Sequence, residues 1–517
     1  MPGEIEKQVF EHTEGVHVAR DQEKTRTTHG LILIPQPSSD PHDPLNWPRS
    51  KKLLTLGIVS FASCINLGQS LANQAGLVPQ ALLYHVSPVE ISYSLSAAVA
   101  GSIVGPLIWA PLSQYLGRSS LIFWGSVITI ACNIWSACMT KEDQYIPFVM
   151  SRLLSGIFST TSLTLGAGIL LDIFFLHQRG KAFACYTITA LMGPLIAPVT
   201  SGFITESAPW PIQFWWCVGA VGLVAILVFF FLEDTTYDRS NPANNRAPQN
   251  YIARRVATFF PGNKILQQRT RTPFSALYKI ALCPQALMTG CALLLTFGWV
   301  VGLNTTLAVF LQTPVALGGY GFSPSQNASF VFTQWVSLAV AEVYGFLLND
   351  RVALWLCRRR GGSWKPEYRL LPVLIPPMIA LPVGLILFGV GLQYHLHYMV
   401  LATGLFLATF ADMAIVPVAN NYLAENFHDY AVETFTILWV WRLSLGVAVP
   451  FFIIEWVELN GPGWVFGTMA ILSTLGMGIL ALLAWKGQQI RQYSFGKLIG
   501  TEEGEKVVAT STSHEGE

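Results

Sequence analysis

Four ionisable side chains interrupt runs that are otherwise apolar: Arg152, Glu342, Asp412 and Arg442. A charge at the centre of a bilayer costs about 2.5–3.5 kcal/mol on insertion scales, so such residues face a protein interior or a water-filled cavity and mark ion or substrate paths. Arg442 is expected to pair with Asp412 or Glu342. Burial favours the neutral form of a carboxyl group, so either acid can take up and release a proton. A static ion pair that only fixes packing is the alternative. A second group is polar and uncharged. Asn66, Ser70 and Asn73 fall at i, i+4 and i+7, one face of a helix, with Gln69 beside them. In lipid such a stripe faces a cavity or another helix. It is read as part of a substrate-cavity wall, with helix packing as the alternative. Asn304, followed by Thr305 and Thr306, is a further cavity candidate. Tyr93, Trp215, Trp216, Trp335, Trp439 and Trp441 add aromatic surface, and aromatics beside a few polar groups suit a bulky amphipathic organic ligand.

These residues need a scaffold. The 517 residues are 52% hydrophobic and 12% charged, where a soluble chain carries about 25% charged residues. That deficit points to an integral membrane protein of many spans. Twelve apolar runs of sufficient length cover 53–71, 91–112, 120–139, 147–171, 183–204, 212–232, 286–311, 326–348, 371–392, 396–420, 434–456 and 464–485. All but three of the 31 Lys+Arg fall on one face. Lys141 lies on the other, and Arg152 and Arg442 lie inside runs. By the positive-inside rule that face is cytoplasmic. The expected fold is all-α, with twelve transmembrane helices in two six-helix bundles and both termini cytoplasmic. Residues 1–52 form an N-terminal tail, 53–232 the first bundle, 233–285 a cytoplasmic linker, 286–485 the second bundle and 486–517 a disordered cytoplasmic tail. Net charge is +1, which suggests no nucleic-acid partner. Histidine and cysteine show no metal-ligand spacing.

One run contains its own breakers. M-G-P-L-I-A-P-V-T-S-G-F-I (192–204) holds Gly193, Pro194, Pro198 and Gly202. Each proline lacks an N–H and collides with the carbonyl four residues back. In lipid this is tolerable only where neighbouring helices cover the freed groups, and glycine lets another backbone come close enough. The stretch reads as a bent helix pressed against a partner.

Several stretches resemble the major facilitator superfamily, and most closely its fungal drug:proton antiporters with twelve spans. They are D-P-H-D-P-L-N-W-P-R-S-K-K (40–52), G-P-L-I-W-A-P-L-S-Q-Y-L-G-R (105–118), R-L-L-S-G-I-F-S (152–159), D-I-F-F-L-H-Q-R-G-K-A (172–182), the segment 192–204 and P-E-Y-R-L (366–370). The resemblance implies the superfamily fold. It gives Arg152 a part in proton coupling, and 192–204 the antiporter motif at the interface of the two halves. In the first cytoplasmic loop, Gly117 and Arg118 match the family pattern, but Gln114 and Tyr115 stand where the family has Asp-Arg. Gln114 accepts a hydrogen bond without a full charge, so the loop's conformational latch is expected either to be weaker or to rest more on Asp350 and Arg351.

Together these readings give a proton-coupled secondary transporter in the plasma membrane that exports small amphipathic organic molecules by alternating access. The expected partners are the substrate, protons and the bilayer. The expected state is a monomer with no cofactor beyond the proton gradient. A symporter importing a nutrient or chelate is the alternative, and a transport-dead sensor on the same fold is another. A membrane enzyme would need a His or Asp cluster at a membrane face, and His395 with His397 is a lone pair. Asn327 begins N-A-S in an expected external loop and is a candidate glycosylation acceptor.

Overall fold

A computed structural model describes residues 37–38, 40, 43–235, 237, 250, 255–256, 258–260, 274–315, 318–359, 365–374, 376–427 and 430–498. Among them the regular structure is helical, with no strand. Twelve segments are long and apolar enough to cross a membrane. Numbered in chain order, spans 1 to 6 are Arg49–Tyr84, Val89–Ser113, Arg118–Cys138, Glu142–Ile173, Lys181–Ser207 and Ile212–Phe231. Spans 7 to 12 are Pro284–Gln312, Pro324–Arg359, Pro376–Gln393, Tyr398–Asn426, Val432–Asn460 and Pro462–Arg491.

Spans 1 to 6 pack chiefly on one another, as do spans 7 to 12. Small residues allow this where there is no water to drive helices together. A β-carbon on Gly156 of span 4 would lie 2.1 Å from the Ala98 carbonyl of span 2, and one on Gly404 of span 10 would lie 2.7 Å from the Gly384 carbonyl of span 9. The two groups meet along two seams, span 5 on span 8 and span 2 on span 11. An even number of spans puts Arg49 and Leu498 on one side, called the terminal face below.

Span 1 is not one helix. Its first helix, Arg49–Gly68, ends well short of the span. A 3-10 turn follows at Ala72–Gly76 and a second helix at Leu77–Tyr84. The single helical face expected for Asn66, Ser70 and Asn73 therefore does not exist. Span 5, by contrast, runs unbroken from Leu176 to Ser207 through both prolines.

The helices also extend further at the terminal face than hydropathy indicates. Span 8 continues to Arg359, so Asp350 and Arg351 lie on a helix rather than in a loop. The last helix continues to Leu498, into the segment expected to be disordered from 486. Polar contacts hold this extension. Lys365 Nζ donates to Gln488 Oε1 at 2.7 Å, Arg491 Nη1 donates to Asn426 Oδ1 at 3.2 Å, and Arg491 lies 3.6 Å from the Glu367 carboxylate. Residues 499–517, most of the tail before 43 and most of the linker lie outside the described residues. Part of the linker is anchored: Phe259 is fully buried against Phe123 and Phe229, and its carbonyl accepts from Trp124 Nε1 at 2.7 Å.

Candidate functional site

Arg152 is fully buried in span 4, so it does not reach the headgroups. Its Nη2 donates to the carbonyls of Gln69 at 3.0 Å and Ser70 at 2.8 Å. These carbonyls lie just past the end of the first helix of span 1, where backbone acceptors lose their helical partners and partial negative charge collects. Arg152 thus caps the break in span 1. The guanidinium also lies 5.2 Å from the Phe214 ring, while Nε and Nη1 have no partner among the described residues.

The uncharged polar group is buried with it. Asn66 donates to Ser162 Oγ at 2.6 Å and Ser126 Oγ at 3.2 Å. Ser155 Oγ donates to Gln69 Oε1 at 2.9 Å. Asn73 donates to Gln80 Oε1 at 3.0 Å and Ser94 Oγ at 3.1 Å, and accepts from Gln80 at 2.6 Å and Gln213 at 2.9 Å. Ser70 is buried as well. These residues tie spans 1, 2, 3, 4 and 6 together, which is the packing alternative rather than a cavity wall. Asn304 is different. It is only partly buried, its carbonyl accepts from Gln74 Nε2 at 2.5 Å, and its Oδ1 accepts from Gln334 Nε2 at 2.5 Å. It therefore joins span 1 to span 8 through span 7. Neither glutamine stands out in the sequence, since each is one uncharged polar residue among others in a span.

The second group holds the remaining charges. Asp412 of span 10 is fully buried and neither carboxylate oxygen has a partner among the described residues. Arg442 of span 11 is 5% exposed. Its guanidinium stacks 4.3 Å from the Phe297 ring and 4.1 Å from the Trp439 ring. Among the described residues, no nitrogen of Arg442 comes within 4 Å of a carboxylate oxygen of Asp412 or Glu342. Asp412 and Arg442 therefore interact electrostatically at longer range rather than in direct contact, with the rings holding the guanidinium. Trp439 in turn donates from Nε1 to the Ser102 carbonyl of span 2 at 3.0 Å, across a seam. Glu342 is half-buried in span 8.

The broken-helix stretch lies against both groups. Gly193 packs on span 1, where its β-carbon would fall 2.0 Å from the Cys64 carbonyl. Gly202 packs on span 8, where its β-carbon would fall 2.5 Å from Ala328 Cβ and 2.8 Å from the Pro324 carbonyl. Between them Trp335 of span 8 donates to the Leu195 carbonyl at 3.1 Å. The groups touch at both ends of the spans. Tyr93 stacks on Phe451 at 4.5 Å, and Glu206 accepts from the Ser325 amide at 3.1 Å, on the side away from the terminal face. Phe183 stacks on Phe435 at 6.0 Å near the terminal face.

At the terminal face Arg118 pairs with Asp172, which also accepts from Thr235 Oγ1 at 3.2 Å. Arg369 pairs with Glu425 in the second group. Residues 43–52 fold onto the same face. Asp43 is fully buried and accepts from the amides of Leu45 and Ser38 at 3.0 Å each, and Lys51 lies 2.7 Å from Glu233. The side chains of Gln114 and Asp350 lie outside the described residues, and Arg351 is exposed. Asn327 is 1% exposed. Span 8 begins at Pro324, so the N-A-S sequon sits in a packed helical turn beside Gly202 and is not presented for glycosylation, contrary to expectation.

The family model described as Major Facilitator Superfamily matches residues 59–450. Efflux pump radE of Floropilus chiversii is 26% identical over 467 residues, 88% of this chain and 84% of that protein. MFS transporter cpaT of Aspergillus oryzae is 27% identical over 473 residues, 88% of this chain and 91% of that protein. Among solved structures, the proton:xylose symporter XylE aligns with a TM-score of 0.60 at 14% identity, covering 85% of this chain and 96% of that one. The human organic anion transporter MFSD10 aligns at 0.55 and 17% identity, covering 84% of this chain and all of that one. At these identities the structures speak to the fold alone.

Proposed function

Given that this chain belongs to the major facilitator superfamily, we propose that it is a proton-coupled exporter of small amphipathic organic molecules. That it is a multi-pass membrane transporter follows from the family match and the twelve spans. The direction, coupling and substrate class are the proposal. One observation carries it: Gly193 and Gly202 seat the 192–204 stretch on span 1 and span 8 at once, the position from which an antiporter motif can seal the seam between the halves. The name of the Floropilus chiversii relative, an efflux pump, supports the same direction.

The halves, 53–232 and 286–485, rock about the central site. The cytoplasmic linker 233–285 joins them, and the 1–52 tail and the residues after 485 lie on the same cytoplasmic side. Asp412 carries the coupling proton. When neutral it leaves Arg442 to the Phe297 and Trp439 rings. When charged it draws Arg442 towards it, which strains the stack on Trp439 and the bond from Trp439 to Ser102 across the seam. Proton loss and seam opening are thereby linked. Arg152 fixes the break in span 1 that the opposing seam packs against, and Glu342 is the second acid of the set. The transporter works as a monomer in the plasma membrane on the proton gradient alone.

Purified protein in sealed liposomes, given an imposed pH gradient and a panel of amphipathic drugs, tests this. Uphill substrate movement opposite to proton flow is expected. Movement together with protons would make the protein an importer and overturn the reading of 192–204.

A further inference from the structure

Where span 2 meets span 11, on the side away from the terminal face, the two groups of helices enclose a pocket of about 320 Å³. Span 2 gives it Tyr93, Ser96, Ala97 and Ala100, span 4 gives Met150, and span 11 gives Phe451. Its volume falls in the range of small-molecule sites, about 300–1,000 Å³. Tyr145, also in the lining, fastens span 4 to span 2 by donating from its hydroxyl to the Glu90 carbonyl at 2.6 Å. The other side of span 2 is buried: Ile91 and Leu95 belong to a cluster with Leu77 of span 1 and Ala308 of span 7. The pocket therefore faces away from the middle of the bundle, towards lipid.

Its chemistry is selective. None of the described residues that line it is charged, so a phosphate or ammonium headgroup finds no partner inside. Tyr93 and Phe451 stack at 4.5 Å with 24° between their planes, a flat wall built from both groups. Ala97 and Ala100, at i and i+3 on one helical face, leave a smooth floor beside it. One polar group is left over. Ser96 is 1% exposed and its hydroxyl has no partner among the described residues. Ser102 on the same helix, by contrast, donates to the Ala98 carbonyl at 3.0 Å. A buried hydroxyl without a partner costs about 1–3 kcal/mol, a cost that a ligand in the pocket removes by supplying one. Tyr93 and Ser96 lie in the first few turns of the helix that begins at Pro88, so the polar end of such a ligand sits near the end of the span.

A rigid, flat, uncharged body with one terminal hydroxyl matches these features. We propose that the pocket binds a sterol from the leaflet away from the terminal face, its hydroxyl bonded to Ser96 and its fused rings on Ala97 and Ala100, between Met150 and Phe451. An acyl chain can fill the same volume, but it leaves Ser96 unpaired and loses more conformational freedom when ordered. Because both groups of helices build the pocket, a bound sterol holds span 11 against spans 2 and 4. The site uses neither Asp412 nor Arg152 and is independent of the direction of transport.

The purified full chain in phosphatidylcholine nanodiscs tests it, with a photoactivatable cholesterol carrying a diazirine on its rings as the probe. Labelling is expected to saturate and to map to peptides holding Tyr93–Ala100, Tyr145–Met150 or Val447–Phe451. Unlabelled cholesterol should compete, and cholestene, which lacks the hydroxyl, should compete poorly. Ala100→Leu fills the floor and should weaken labelling by about tenfold or more. Ser96→Ala removes one hydrogen bond and should weaken it by about two- to tenfold. Neither change should lower the thermal midpoint in sterol-free nanodiscs, and if Ala100→Leu does, Ser96→Ala alone decides. Wild-type labelling of Ser96→Ala would overturn the proposal. So would labelling that maps to other spans, or competition by cholestene as strong as that by cholesterol.

Discussion

Gly68 and Gly193 meet backbone to backbone. A β-carbon on Gly68 would lie 2.6 Å from the Gly193 carbonyl oxygen, and one on Gly193 would lie 2.0 Å from the Cys64 carbonyl oxygen. The contact locks the breaker-rich middle of span 5 to the point where the first helix of span 1 ends. Gly193→Ala must push the two helices apart, at a cost of about 1–3 kcal/mol. The expected result is a thermal midpoint several degrees lower and loss of transport. Gly222→Ala in span 6, with nothing within 4 Å of its β-carbon, should leave both unchanged. Equal midpoints for the two variants would remove the contact from the account.

Arg152 is predicted to be structural at its head and functional through span 1. Arg152→Ala removes the donor to both carbonyls; Gln69 keeps the Ala72 amide at 3.3 Å, so the cost of about 1–3 kcal/mol for a buried unpaired group falls chiefly on Ser70. Arg152→Lys supplies a single ammonium in place of the fork and should fall between Ala and wild type. Thermal unfolding of the three purified proteins gives the order directly.

Trp439 links the charge at Arg442 to the seam at span 2, so its indole N–H should govern rate more than affinity. Trp439→Phe keeps a ring beneath Arg442 and deletes the bond to the Ser102 carbonyl, worth about 0.5–1.5 kcal/mol. Turnover is expected to change by about two- to tenfold while substrate affinity stays within about twofold. Ser102→Ala should behave as wild type, because the acceptor is the backbone carbonyl and the hydroxyl donates within its own helix to Ala98.

On the terminal face, Arg118 and Asp172 should act as one unit. Both side chains are largely buried, at 15% and 12% exposure, so solvent screens the pair less than an exposed one. Arg118→Ala and Asp172→Ala are expected to be non-additive in a double-mutant cycle of stability, with a coupling of about 1 kcal/mol or more. Additive losses would show that the pair is incidental.

Much of this architecture is legible in the sequence, because lipid demands long apolar runs and the Lys and Arg residues sort by side. That 192–204 presses against a partner helix is legible too, since two prolines in lipid require covering neighbours; its place at the seam is what the family resemblance implies. What stays hidden has a common cause. The acceptors of Arg152 are backbone carbonyls past the helix end at Gly68, and which carbonyls a guanidinium meets is not written in side-chain types. The same break removes the continuous face predicted for Asn66, Ser70 and Asn73. The tie between Arg442 and Asp412 is visible in a sequence as charge, whereas the contacts of Arg442 with Phe297 and Trp439 are not, because the rings are apolar surface until the fold brings one of them from another span. The last helix outruns its apolar run to Leu498 because Gln488 and Arg491 find partners in the turn that holds Lys365 and Glu367 and at Asn426. Asn327 lies at the very start of its apolar run, where a loop and the first turn of a helix cannot be told apart by hydropathy.

The central claim is that Asp412 carries the proton that drives export, and Asp412→Asn in proteoliposomes tests it most directly. The neutral amide is close in shape and neither carboxylate oxygen had a partner to lose, so the variant should fold. Substrate exchange without a pH gradient is predicted to persist near the wild-type rate, while uphill movement under a pH gradient is lost. Gradient-driven accumulation by Asp412→Asn at the wild-type level would contradict the account and move the proton elsewhere.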